Sequence, residues 1–114
     1  MIERINKGAR MSDAVIHNKT LYYTAVPTMI ENDIYLQMKS TLADIDQILK
    51  TAGTDKSRIL DATIFLVSSR DLDGMNRAWD EWVDSENAPV RCTVQAGLMN
   101  ADWKVEMKVI VAMP

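Results

Sequence analysis

The stretch Lys104-Val105-Glu106-Met107-Lys108-Val109-Ile110-Val111-Ala112-Met113 decides how this chain folds. Val105, Met107, Val109 and Val111 fall on one side of a period of two, and Lys104, Glu106, Lys108 and Ile110 on the other. That period belongs to a strand with one buried face, so the valines and Met107 are expected to meet a helical layer. Glu106 goes to the uncovered side. Just upstream, Val90 to Gly97 reads as another strand, and across the loop Leu98 to Trp103 the two are expected to pair as an antiparallel hairpin. Carried into this strand, the alternation places Val90, Cys92, Val94 and Ala96 on the core face. Arg91, Thr93 and Gln95 then share the opposite face with Glu106.

The rest of the chain supplies the layers. Asp13 to Asn18 and Thr20 to Val26 read as two strands joined at Asn18-Lys19, where asparagine tolerates the positive φ of a tight turn, and this sets Ile16 beside Leu21. From Asn32 or Asp33 the apolar residues Ile34, Met38, Leu42, Ile45, Leu49 and Ala52 recur every three or four positions, which predicts a helix stopped at Gly53. Arg58 to Val67, apolar on both faces in its second half, is expected to be a central strand. A second helix over Asp71 to Ser85 places Leu72, Met75, Trp79 and Trp82 or Val83 on one stripe, weakened slightly by Gly74. This order predicts an α+β fold with two helices on one face of a mixed sheet. A bare face carrying Ile110 and Ile59 among charges points to a closed homo-oligomer, with a solvated face as the alternative.

Composition narrows the functional classes. The 114 residues are 47% hydrophobic and 25% charged, as expected of a single globular domain over residues 1–114. A net charge of −3 without a basic run argues against nucleic acid or an anionic membrane as a partner. No apolar run approaches a membrane span and the N-terminal residues lack a signal-peptide layout, which predicts a cytoplasmic protein. With one cysteine, Cys92, and one histidine, His17, no disulfide within the chain and no metal site is expected. Cys92 reads as a small buried hydrophobe and His17 as a hairpin-end residue. Trp79 and Trp82 are expected in the helix–sheet core, and Trp103 on its loop as a cleft wall.

The stretch Ala88-Pro89-Val90-Arg91-Cys92-Thr93-Val94, the Gly97-Leu98 turn and Lys104-Val105-Glu106-Met107 together resemble the C-terminal signature of the Rid family of reactive-intermediate deaminases, also called YjgF. Ala52-Gly53, Thr63 to Leu66 and Asn76 resemble its other landmarks. Trp79-Asp80 followed by Trp82-Val83 is especially similar to the YoaB-like branch. The resemblance implies a chorismate-mutase-like fold, a homotrimer whose sheets line a central barrel, and clefts between subunits. It also implies hydrolysis of 2-imino acids to 2-oxo acids and ammonia, with no cofactor.

Carried over residue by residue, Arg91 holds the carboxylate of an imino or keto acid, a task suited to a rigid, permanently charged fork. Glu106 positions or deprotonates water. Thr24, Thr93, Asn76, Met11 and Trp103 complete the expected pocket. Two departures alter it: Ala9-Arg10-Met11 stands where the family's deaminases carry a tyrosine after Gly-Pro, and Thr24-Ala25 stands where they carry Ser-Gly. Two other readings remain open, a non-catalytic carboxylate-binding module and, against the acidic charge, a ribonuclease or translation inhibitor. On residue pattern alone, Arg91 and Glu106 also read as a structural ion pair.

Overall fold

A computed structural model describes residues 1–114 as six strands and two long helices. In chain order these are β1 (Glu3–Lys7), β2 (Ser12–His17), β3 (Thr20–Ala25), α1 (Ile34–Ala52), β4 (Ile59–Leu66), α2 (Leu72–Trp82), β5 (Val90–Gln95) and β6 (Val105–Ala112). The β2–β3 turn forms as its residues dictate: Asn18 and Lys19 both hold positive φ, 50° and 58°, and Ile16 pairs with Leu21. Asp33 caps α1 by accepting from the Leu36 N–H at 3.0 Å. Gly53 ends it at φ 89°, while the Thr54 N–H reaches the Leu49 carbonyl at 2.9 Å.

The sheet order is β1-β2-β3-β6-β4-β5. The hairpin expected of the last two strands does not form. β6 inserts between β3 and β4, antiparallel to both, while β5 runs parallel to β4 on the outer edge. The physical reason lies in α2, which carries the chain from the end of β4 back to its start, as a parallel pair requires. β4 is therefore an interior strand beside the edge rather than the centre. β1 has no counterpart in the sequence reading, because Glu3-Arg4-Ile5-Asn6-Lys7 lacks an apolar alternation and is almost wholly exposed.

Both helices cover one face. Met38, Leu42, Ile45 and Leu49 of α1 and Met75 and Trp79 of α2 meet Val105, Met107, Val109 and Val111 in a continuous buried cluster. Each such side chain removed from water contributes about 1.5–3 kcal/mol. Gly74 lets the two helices approach: a Cβ there would lie 2.6 Å from Cγ2 of Ile34. Leu72, by contrast, is 40% exposed rather than core. Ile59 is also reassigned. It is only 4% exposed and pairs with Val111 on the helix side, because a register shift before Asp61 inverts the parity expected of it.

Candidate active site between the edge strand and the second helix

Strand pairing fixes which way β5 faces. Arg91 pairs with Ala62, Thr93 with Ile64 and Gln95 with Leu66, and all three partners are buried beneath the helices. Paired residues point to the same side of a sheet. Arg91, Thr93 and Gln95 therefore face the helix layer, opposite to expectation. Cys92 and Val94 point to the uncovered face, where Cys92 is exposed rather than a core hydrophobe. Alternation gave the spacing correctly but the side wrongly, because an edge strand beyond the reach of α1 has no fully buried face to reveal its parity.

On the helix side, α2 presents Leu72, Asn76 and Trp79 within a narrow arc, since steps of four and three residues nearly complete a turn. The Arg91 guanidinium carbon lies 5.3 Å from the centroid of the Trp79 ring, a cation–π stack that holds the fork. No carboxylate of the chain forms a salt bridge with it; the two bridges present join Arg77 to Glu81 and Lys104 to Asp71. The Oδ1 atom of Asn76 is buried and has no hydrogen-bond partner. An orphan acceptor of this kind costs about 1–3 kcal/mol, so it calls for a donor to complete it. Toward the start of α2 a cavity of about 220 Å³ opens, lined by Leu66, Ser69, Leu72, Thr93 and Gln95. The Arg91 cation over Trp79, the unsatisfied Asn76 oxygen and the cavity beside Leu72 and Thr93 thus follow one another along one side of α2.

The remaining expected residues lie elsewhere. Glu106 pairs with Phe65, and Thr24 with Lys108, on the uncovered face. Arg91 and Glu106 therefore occupy opposite faces of one protomer and form no ion pair. Met11 lies in the exposed turn between β1 and β2, four strand spacings or roughly 19 Å from β5. Trp103 is half-buried in the loop before β6. Trp79 is buried as expected, whereas Trp82 is half-buried beside α1, where its Nε1–H donates to Asp46 at 2.9 Å.

Gln37 is a positioning residue that sequence reasoning missed. It is fully buried in α1; its amide donates to the carbonyls of Glu31 and Asp102, each at 2.9 Å, and its oxygen accepts from the Lys104 N–H at 2.8 Å. It thereby ties the Trp103 loop to the helix layer. The available signal was a polar residue one position before Met38, at the margin of an otherwise apolar stripe.

The uncovered face has its own character. Tyr22, Ile110, Asp61 and Val90 form one row, Thr24, Lys108, Thr63 and Cys92 the next, and Glu106, Phe65 and Val94 a third, and Val90 is 72% exposed.

Comparison with known proteins matches residues 1–113 to the family described as Endoribonuclease L-PSP. The chain is 57% identical over 111 residues to the RutC family protein YoaB of Escherichia coli K12, covering 97% of each sequence.

The chain belongs to the Rid/YjgF family.

Its likeness to YoaB places it in the YoaB-like branch, in agreement with the landmarks around Trp79 and Arg91. A solved member of the YjgF protein family from Neisseria meningitidis superposes with a TM-score of 0.96 at 33% identity, covering 100% of this chain and 96% of that one. The mixed sheet with two helices on one face is thus the fold shared with the family. A more distant relative, 26% identical over 106 residues and covering 87% of this chain and 77% of its own length, is the 2-iminobutanoate/2-iminopropanoate deaminase of Capra hircus. No helix of this Rid/YjgF chain is long and apolar enough to cross a membrane.

Proposed function

We propose that this Rid/YjgF protein hydrolyses reactive 2-imino acids of the 2-aminoacrylate type to 2-oxo acids and ammonia. The observation that carries the proposal is the unpaired Arg91 fork, stacked on Trp79, with the orphan Oδ1 of Asn76 about one turn away along α2. Arg91 takes the substrate carboxylate through two parallel charge-assisted hydrogen bonds. Asn76 accepts from the imine N–H, and Thr93 presents its hydroxyl to the same groove. Water adds to the imine carbon and one of its protons passes to the nitrogen, giving a carbinolamine. The remaining hydroxyl proton then moves to the nitrogen as the C–N bond breaks, releasing ammonia and leaving the ketone.

The group that takes the proton is Glu106, worth on the order of 10² to 10⁴ in rate when well placed. Because Glu106 lies on the face opposite Arg91, we assign it, with Thr24 and Met11, to a second copy whose apolar sheet face closes the groove. Trp103 walls the same cleft. The assembly is a homotrimer with three such clefts, and the exposed Tyr22, Val90 and Val94 are what it covers.

The test is release of 2-oxo acid from imines generated in place by an amino-acid oxidase, with semicarbazide competing. Arg91→Ala is expected to lower kcat/KM about 10²-fold, the worth of a bidentate charged contact, without changing thermal stability. Arg91→Ala and Glu106→Gln, each impaired alone, are expected to regain activity when refolded together, since a cleft built from both variants contains one intact copy of each group. No recovery in the mixture rules out the shared cleft.

A second reading, a carboxylate-binding module without turnover, is favoured by the absence of an ion-paired carboxylate beside Arg91 within its own chain. Binding of 2-oxo acids with no acceleration over a broad imine panel decides for it.

A further inference from the structure

We infer that the cleft between α1 and α2 binds a free α-amino acid with a large apolar side chain, at a site apart from Arg91. Between the two helices lies a cavity of about 320 Å³. Its floor is apolar. Leu42 and Ala78 are buried there, and Ala43, whose side chain ends at Cβ, leaves the space beside them open. Arg91, Asn76 and Thr93 do not line it.

The rim carries two ammonium groups and two carboxylates, arranged as two similar units. At one end Lys39 lies over the Tyr35 ring, 5.3 Å from its centroid, and the Tyr35 hydroxyl donates to Glu81. At the other end Lys56, from the turn before β4, lies 5.1 Å from the centroid of Trp82, and the Trp82 Nε1–H donates to Asp46 at 2.9 Å. Lys39 and Asp46 stand about 10 Å apart along α1, so the two ends are separate.

The ends differ in what they leave unmet. Glu81 is taken up by Tyr35 and by Arg77 at 3.8 Å. Asp46 accepts the indole N–H with Oδ2 alone, and its Oδ1 accepts nothing. Lys56 belongs to neither salt bridge of the chain and has only a ring face, a weaker partner for an ammonium than a carboxylate is. The Trp82 end thus sets an unpaired cation and a half-used carboxylate around one indole. That arrangement complements a zwitterion. A simple anion is repelled by Asp46 and a simple amine by Lys56, whereas an amino acid offers its carboxylate to Lys56 and its ammonium to Asp46. Its side chain then lies along Leu42, Ala43 and Ala78, where burial of apolar surface adds affinity.

Wild-type protein is titrated by calorimetry with L-phenylalanine and with three compounds that each lack one part of it: 3-phenylpropanoate without the ammonium, phenethylamine without the carboxylate and L-alanine without the ring. Phenylalanine is expected to bind about tenfold or more tightly than either singly charged compound, and alanine is expected to give no heat of binding. Asp46→Asn is expected to bring phenylalanine down to the level of phenylpropanoate, and Lys56→Met to that of phenethylamine. Ala43→Trp, which fills the cavity from an exposed position of α1 and so spares the core, is expected to abolish binding. Arg91→Ala is expected to leave the phenylalanine affinity unchanged. No binding by wild type, a singly charged compound binding as tightly as phenylalanine, Ala43→Trp binding as wild type does, or loss of binding in Arg91→Ala each overturns the site.

Discussion

β6 and β5 carry much the same alternation and meet opposite fates. In β6 the apolar parity, Val105, Met107, Val109 and Val111, is completely buried between the helices and the neighbouring strands. In β5 the apolar parity, Val90, Cys92 and Val94, faces away from the helices, and Arg91, Thr93 and Gln95 turn toward them. The difference follows from position. An interior strand must bury whichever face the helices cover, because unpaired polar groups there cost several times what apolar burial returns. At the edge, α2 leaves a groove instead of a core, and a groove tolerates an arginine stacked on a tryptophan. A polar parity turned inward at a sheet edge is therefore where a binding site is to be sought.

The comparison is broken most sharply from the β6 side. Met107→Ala is expected to cost about 2–5 kcal/mol in urea unfolding, as for other large-to-small changes in a sealed core. A cost below about 1 kcal/mol would deny β6 its place as the centre of packing. On β5 the same experiment is expected to read differently: Val94→Arg leaves the circular dichroism of the fold intact but shifts sedimentation from the assembled species to the monomer. Retention of the assembly would show that this apolar parity is merely solvated.

Smaller effects sharpen the picture of the helix layer. Gly74→Ala, which improves helix propensity by about 1 kcal/mol in isolation, is expected instead to destabilise by about 1–3 kcal/mol, because its Cβ would meet Cγ2 of Ile34 at 2.6 Å. A rise in melting temperature would mean that α1 and α2 separate readily.

The smallest effect concerns pH. Tyr23 on β3 donates its hydroxyl to the Asp44 carboxylate, and burial first, then that bond, raise its pKa well above the ordinary tyrosine range. A raised pKa in the folded state means that the proton is held more tightly there than in the unfolded chain. Its contribution is present in full below about pH 10, the unfolded value, and declines as pH rises beyond it. Tyr23→Phe is expected to lose less stability than wild type between neutral and strongly alkaline pH, and equal slopes would refute the assignment.

Local physics was readable where a few residues decide the outcome. Asp33 and Gly53 bound α1, Asn18-Lys19 makes its turn, and Val105 to Val111 declare a buried face, because caps, turns and interior alternation depend on neighbours within a few positions. The motif around Arg91 likewise pointed to a residue that the structure stacks on Trp79. Harder to read were β1, whose pairing is made by backbone with little apolar signal, and Gln37, whose three hydrogen bonds reach residues up to 67 positions away. The sequence by itself determined five of the six strands, both helices and the family. Only the tertiary structure decided that β5 lies parallel at the edge, that Arg91 faces α2, and that Glu106 stands on the other side of the sheet. Those outcomes depend on which strand β6 inserts beside, and that choice is made by the packing of the whole sheet rather than by any single stretch of chain.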